Sequence, residues 1–389
     1  VRRASIYIAA VLILLVLPGP AAAKPRPLLW GAWIGSQLTG KEAPWDMGAA
    51  SSFQARVGRG LSLLQFSAPF ARCEAGRCSS YTFPTEEMAK IRAYGAIPLF
   101  SWNSAVSGDP QGSRLAELNA GRYDSYISDF ARAAAAWGHP FFLRFDWEMN
   151  GNWFPWGAGV GGNTAAEFRQ AWHRVHGIFD NAGATNATWV WCPYADRNES
   201  LRLRPFYPGG RYVDWTCLDT YNWGPESPLP TPWHSFRELL EPTYRRIVER
   251  IAPHKPMLIG EVATSGTPEA KAWWIHGMFA ALRHRFRRVR GLAWFNKFDS
   301  GTDWPLDSWP ALEAFGRELR HGSKQNVYAG LDRSPIPPPG CGLQFVRINP
   351  PTTTPTHIVK GDETEVGEVG RALRARCLCG DVACAGRPG

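Results

Sequence analysis

Short apolar runs recur along the chain, each closing on polar or aromatic residues: "LLWGAWIG" (28–35), "LSLLQFSAPF" (61–70), "AIPLFSWN" (96–103), "FFLRFDWE" (141–148), "TWVWCPYA" (188–195), "DWTCLDTYNW" (214–223), "PMLIGEVA" (256–263) and "GLAWFNKFD" (291–299). Their length and continuous apolar character fit strands buried on both faces. Between several of them the apolar positions return at helical spacing, over Tyr123 to Trp137, Ala165 to Asn181, Phe236 to Ile251 and Glu269 to Phe286. Eight strands alternating with helices predict an α/β fold with a parallel sheet, and eight is the number that closes a (β/α)8 barrel. A doubly wound open sheet is the alternative; it needs a phosphate-binding turn after the first strand, and "GAWIGSQLTG" lacks a G-x-G-x-x-G.

The flanks read differently. Residues 1–23 carry two arginines, an apolar run from Ile6 to Leu17, a Pro-Gly break and Ala21-Ala22-Ala23, which is the layout of a secretory signal peptide. That run is too short to span a bilayer comfortably, so an uncleaved N-terminal anchor is the lesser reading and a secreted chain without stable membrane insertion is expected. Residues 24–320 form the expected catalytic domain. Residues 321–389, with "SPIPPPG" and "PPTTTPT", read as a Pro-rich linker and poorly ordered tail that holds too few large apolar residues for its own core.

Charge and cysteines narrow the classes further. The net charge of +9 falls to +7 without Arg2 and Arg3, and the densest basic run, "RHRFRRVR" (283–290), sits at a predicted helix end, where it complements the helix dipole. No nucleic-acid module accompanies it, and no nucleic-acid partner is expected. Cys73 and Cys78 bracket "CEAGRC", a local disulfide. For Cys192 and Cys217, in predicted strands, buried thiols and a bridge stay equally open. The tail cysteines Cys341, Cys377, Cys379 and Cys384 lack histidines at ligand spacing, and His173 with His176 lacks an acidic partner, so no metal is expected. No G-x-S-x-G elbow occurs, which argues against a serine hydrolase.

In a (β/α)8 barrel the chemistry lies at the carboxyl ends of the strands. Here those ends carry Trp102 and Asn103, Arg144 and Glu148, Asp219 and Tyr221, Glu261, and Trp294 with Asn296. Two carboxylates, Glu148 and Glu261, are the minimal equipment for glycosidic hydrolysis: one protonates the departing oxygen, the other meets the anomeric carbon. Alternation along the fourth run puts Arg144, Asp146 and Glu148 on one side, where the guanidinium can keep a nearby carboxylate ionised. Glu148, bordered by Trp147, Met149 and Trp153, is the expected proton donor, and Glu261 the charged nucleophile. The chain holds 19 tryptophans, more than packing needs, and flat indole faces suit sugar rings. Trp30, Trp33, Trp189, Trp191, Trp215 and Trp304 fit core or cleft alike.

Taken in order, "RFDWEMNGNWFPWG", "WVWCPYA", "DTYNW", "IGEVATSG" and "AWFNKFD" resemble glycoside hydrolase family 26, whose best-known members are endo-β-1,4-mannanases. The resemblance covers most of residues 28–320. It implies a retaining barrel enzyme without metal or organic cofactor, with Glu148 as acid/base and Glu261 as nucleophile. It further implies Arg144 and Tyr221 steadying the nucleophile, and Trp153 and Trp294 lining the cleft; Trp102, Asn103 and Trp147 stand where the family contacts sugar. Two positions depart from the pattern: Trp147 and Asn103 replace histidines that are common there, and an indole donates one hydrogen bond but cannot accept one. The expectation is a secreted, monomeric, retaining endo-β-glycosidase acting on a neutral polysaccharide or oligosaccharide, mannan first. β-1,3-Xylan and mixed-linkage β-glucan are the alternative substrates. A non-catalytic glycan-binding barrel is the rival class, and an anionic-polymer binder would reveal itself by salt-sensitive binding.

Overall fold

The computed structural model describes residues 27–75, 77–108, 115–322, 331 and 333–339. The expected leader, and the tail with its four cysteines, lie outside the described residues.

Nine strands are present among the described residues: β1 (Leu29–Ile34), β2 (Leu63–Glu74), β3 (Arg77–Ser80), β4 (Ile97–Ser107), β5 (Phe141–Phe145), β6 (Ala187–Trp191), β7 (Trp215–Asn222), β8 (Met257–Thr264) and β9 (Val289–Asn296). All except β3 run parallel, in the order β1, β9, β8, β7, β6, β5, β4, β2, and β2 pairs with β1 to close the ring. Closure excludes the doubly wound sheet and leaves a (β/α)8 barrel. At the seam, a Cβ on Gly31 would lie 2.1 Å from the Leu63 carbonyl oxygen, so only glycine lets β1 approach β2 there. Strand β3 is an antiparallel hairpin on the outer end of β2, pinned by the expected Cys73–Cys78 disulfide; Cys192 and Cys217 are also bridged, between the end of β6 and β7.

The helices are α1 (Met47–Val57), α2 (Thr85–Tyr94), α3 (Leu115–Asn119), α4 (Asp124–Trp137), α5 (Ala165–Asn181), α6 (Phe236–Arg246), α7 (Pro268–His284) and α8 (Trp309–Gly322). Local sequence sets several of their starts: Thr164 with Glu167 and Ser235 with Glu238 form capping boxes at α5 and α6, and Thr267 caps α7. The apolar stripe expected to reach Ile251 continues beyond α6 as a wider turn over Ile247–Ile251. Between β6 and β7 the alternation lapses, because that connection carries only a single short 3-10 turn, Arg204–Phe206.

Tryptophans fill both layers. Trp30, Trp189, Trp191 and Trp215 are core residues, each 4% exposed or less. The basic run after α7 is spent locally: Arg283 pairs with Glu318, Arg285 with Glu241, and Arg290 donates to the Pro339 carbonyl. No helix among the described residues is long and apolar enough to cross a membrane.

Part of the stretch read as linker packs on the barrel. Leu331 and Ile336 are buried; Ile336 N–H donates to Thr188 Oγ1 (2.9 Å), and Trp215 Nε1 donates to the Ile336 carbonyl (2.8 Å). Thr188 and Trp215 begin β6 and β7, so the segment covers the floor opposite the mouth. Its prolines fix an extended path, and one isoleucine supplies an anchor that composition alone does not reveal. Ile336→Ala should therefore cost about 2–5 kcal/mol of unfolding free energy in urea titration; a change near zero would mean that the segment adds nothing to the barrel.

Candidate active site

The floor of the site is built from β2, β5, β7 and β8. Arg144, at the end of β5, is fully buried; its Nη2 lies 2.6 Å from Glu261 Oε1 and 3.0 Å from Asp219 Oδ2, and its Nη1 donates to Asp219 Oδ1 at 3.3 Å. Room for the guanidinium comes from Gly260, where a Cβ would sit 2.7 Å from both Arg144 Nη1 and Asp219 Oδ1. Irregular pairing at Leu218/Asp219 and at Ile259/Val262 then turns both carboxylates inward.

Glu261 is held by three donors. Arg144 and Gln65 Nε2 (3.1 Å) both reach Oε1, and the Tyr221 hydroxyl donates to Oε2. Burial, then the charge of Glu261, raises Tyr221 well above the usual phenol range, so it stays a donor. Gln65 escaped the sequence reading because a lone glutamine in "LLQFSAPF" carries no spacing signal; its place on the second strand, pointing inward, was the only clue.

Glu148 arrives by a route that alternation did not anticipate. β5 stops at Phe145, and Asp146 (φ +39°) and Glu148 (φ +54°) both adopt left-handed backbone, which costs on the order of 1–3 kcal/mol at each non-glycine residue. Asp146 therefore does not share the mouth with Arg144. Its carboxylate accepts from Ser104 N–H (2.7 Å) and Ser104 Oγ (2.9 Å), tying the turn to β4. Glu148 N–H donates to the Cys192 carbonyl at 2.7 Å on the other side. Held from two strands, the turn aims Glu148 inward, where Trp153 Nε1 donates to its Oε2 at 2.5 Å.

One oxygen from each of Glu148, Asp219 and Glu261 lies within 4.8 Å of the other two. Three buried carboxyls around one guanidinium cannot all ionise cheaply. Burial first, then the charge of Glu261, pushes Glu148 up to about 7, against the opposing pull of Arg144 and Trp153. Burial also raises Asp219 well above the usual carboxylate range, even beside Arg144. Arg144 itself is held more firmly protonated than in water: burial opposes its charge, but Asp219, then Glu261 and Glu148, outweigh it.

Above the carboxyls opens a cleft of about 550 Å³. Trp147, Trp153, Phe154 and Tyr194 line the side of Glu148; Tyr221, Trp223, Trp304, Phe295 and Trp33 line the side of Glu261, with Lys297 and Asp299 at the rim. Trp147, Trp153 and Tyr221 thus stand where the sequence placed them. Trp102 and Trp294 do not. Trp102 is fully buried on the helix side of β4, stacked on Phe130 with ring centroids 4.2 Å apart, and Trp294 packs against Trp274 and Phe315. A strand residue one position out of phase faces the helices instead of the mouth. Asn103 accepts from Ala105 N–H at the end of β4 and is not part of the cleft wall. The histidines of α5 are apart in role: His173 meets the Pro208 carbonyl, and His176 meets Asp180.

The closed parallel barrel therefore brings Glu148, on the turn after β5, and Glu261, on β8, together at its mouth. Residues 106–236, which include Glu148, match the family described as Glycosyl hydrolase family 26. "Endoglucanase H" of Acetivibrio thermocellus is 28% identical over 297 residues, 75% of this chain and 30% of that protein. "Mannan endo-1,4-beta-mannosidase A and B" of Caldalkalibacillus mannanilyticus is 31% identical over 176 residues, 42% of this chain and 30% of that protein. Among solved structures, a modular endo-β-1,4-mannanase from Cellulomonas fimi superposes with a TM-score of 0.56 at 19% identity, covering 78% of this chain and 76% of that one. Over residues 106–236 the barrel is thus similar to glycosyl hydrolase family 26. The chain spans about a third of the length of the curated relatives it matches.

The Trp153 hydrogen bond favours ionised Glu148, so removing it should raise the pKa further. Carboxyl infrared titration should place Glu148 near 7 in the native chain and higher in Trp153→Phe; an unchanged or lower value would contradict the assignment of that bond.

Proposed function

We propose that this chain is a secreted, retaining endo-β-glycosidase whose first substrate is a β-1,4-mannan backbone. The observation that carries the reading is the proximity of Glu148 and Glu261 combined with their unequal surroundings. Oxygens within 4.8 Å fit the spacing of about 5–5.5 Å at which the second carboxyl attacks sugar directly, and fall short of the roughly 6.5–9.5 Å over which an inverting pair places a water. The family match over residues 106–236 and the similarity to mannanases support the substrate class.

In the first step Glu148, protonated near neutrality, gives its proton to the glycosidic oxygen as the C–O bond breaks. Glu261 forms a bond to the anomeric carbon through Oε2, since Oε1 is occupied by Arg144 and Gln65. Those two donors and Tyr221 stabilise the carboxylate and orient its free lone pair, which lowers the reorganisation needed in the transition state. In the second step water replaces the ester: its hydroxyl goes to the anomeric carbon, its proton returns to Glu148, and Glu261 leaves as carboxylate. Aromatic walls on both sides of the pair fit rings on both sides of the broken bond, hence internal cleavage. The chain carries its own acid, base and nucleophile, and this sequence of steps asks for no cofactor.

Reducing-end release by the full chain on galactomannan, β-1,3-xylan and mixed-linkage β-glucan tests the reading; the glucan arm matters because one relative bears the name endoglucanase. Cleavage of mannan with the anomeric configuration retained is expected. Glu148→Ala should lose about 10²–10⁴-fold in rate, and Glu261→Ala at least as much. Oligosaccharide binding without cleavage of any of the three would instead support a glycan-binding barrel. Because Glu148 must be protonated to act, activity should fall as pH rises through about 7; a rate that climbs through that range would reverse the assigned roles. Gln65→Leu should lower kcat more than it raises KM, because its contact is to the nucleophile and not to the cleft wall.

A further inference from the structure

Trp304 forms the wall of the cleft beside the nucleophile, yet it sits on the long connection from β9 to α8 rather than on a strand. Its indole is 1% exposed and meets Tyr221 (centroids 5.1 Å apart) and, edge-on, Trp223 (4.8 Å). A wall on a loop needs anchoring, and the anchors are unusual. Lys271, in the first turns of α7, is 1% exposed, and its Nζ donates to the carbonyls of Asp303 (2.8 Å) and Pro305 (3.1 Å) and pairs with Asp303 Oδ2 (3.0 Å). The two residues it grips flank Trp304. From β9, Trp294 Nε1 donates to the Trp304 carbonyl (3.1 Å), and Asn296 Oδ1 accepts from Leu306 N–H (2.8 Å).

A buried ammonium costs several kcal/mol unless its donors are satisfied. Here all three protons are spent on this one loop, so the loop's conformation and the lysine's burial depend on each other. The wall continues inward, since Tyr221 donates to Glu261. We propose that Lys271 is a positioning residue for the glycan cleft: it touches no substrate, and it fixes the buried indole of Trp304, on which Tyr221 and Trp223, the cleft wall on the side of Glu261, rest. The proposal rests on the glycosidase reading for its ligand but on the loop contacts for its geometry.

Two readouts separate these. Hydrogen exchange on the intact chain reports the loop alone: Lys271→Met should raise exchange across residues 299–308 while leaving β5 and β8 protected. Equal exchange in both proteins would overturn the proposal. Binding reports the cleft: in a Glu148→Gln background, Lys271→Met and Trp304→Ala should each weaken mannotetraose or cellotetraose by about tenfold. Combined, they should weaken it no further than Trp304→Ala alone. Additive losses would mean that Lys271 acts on general stability and not through Trp304, and would overturn the proposal. If the Glu148→Gln parent binds neither tetrasaccharide, the glycosidase reading fails while hydrogen exchange still decides whether Lys271 holds the loop.

Discussion

One guanidinium, buried among three carboxyls, organises this molecule. Arg144 cannot leave the barrel interior without stranding Asp219 and Glu261, which would lose their buried cationic partner. Removing one partner from such a cluster costs about 3–5 kcal/mol, so β5, β7 and β8 are locked in mutual register by charge as well as by their ladders. Gly260 exists in that frame to let the guanidinium pass, and the irregular pairing around it turns the carboxylates toward the mouth. The cluster also sorts protons. With one cation for three acids, burial and mutual repulsion drive both Glu148, which accepts from an indole, and Asp219 toward the neutral form.

The second constraint is backbone strain. Two left-handed residues in three, Asp146 and Glu148, are tolerated because Ser104 and Cys192 hold the turn from adjacent strands. That expenditure carries Glu148 away from the strand direction and toward Glu261. Strain of this kind persists only where the surroundings over-determine it, and here the surroundings are hydrogen bonds to the two neighbouring strands.

The barrel was legible because its signals are periodic. Eight apolar runs and the helices 165–181 and 124–137 follow from spacing alone, and the observed ends fall within a few residues. The glutamate pair was legible for a different reason: the fold assigns chemistry to strand ends, and only a few carboxylates stood there. What escaped was phase. Trp102 and Trp294 sit near the right strand ends but face the helices, and a one-residue error moves a side chain through the sheet. Asp146 failed the alternation rule because the strand stops at Phe145, which no local pattern announces. Gln65, Trp304 and Lys271 were hidden for a third reason: their roles arise from contacts between distant segments, up to 196 residues apart for Gln65 and Glu261.

The account stands on Glu261 being the atom donor that bonds to sugar while Glu148 carries the proton. The most direct measurement is mass spectrometry of the full chain after reaction with a 2-deoxy-2-fluoro-β-glycosyl fluoride of mannose or glucose, followed by peptide mapping. A single glycosyl adduct on Glu261, absent from Glu261→Ala and present in Glu148→Ala, is the predicted result. An adduct on Glu148 or Asp219, or turnover with inverted configuration and no adduct, would contradict it.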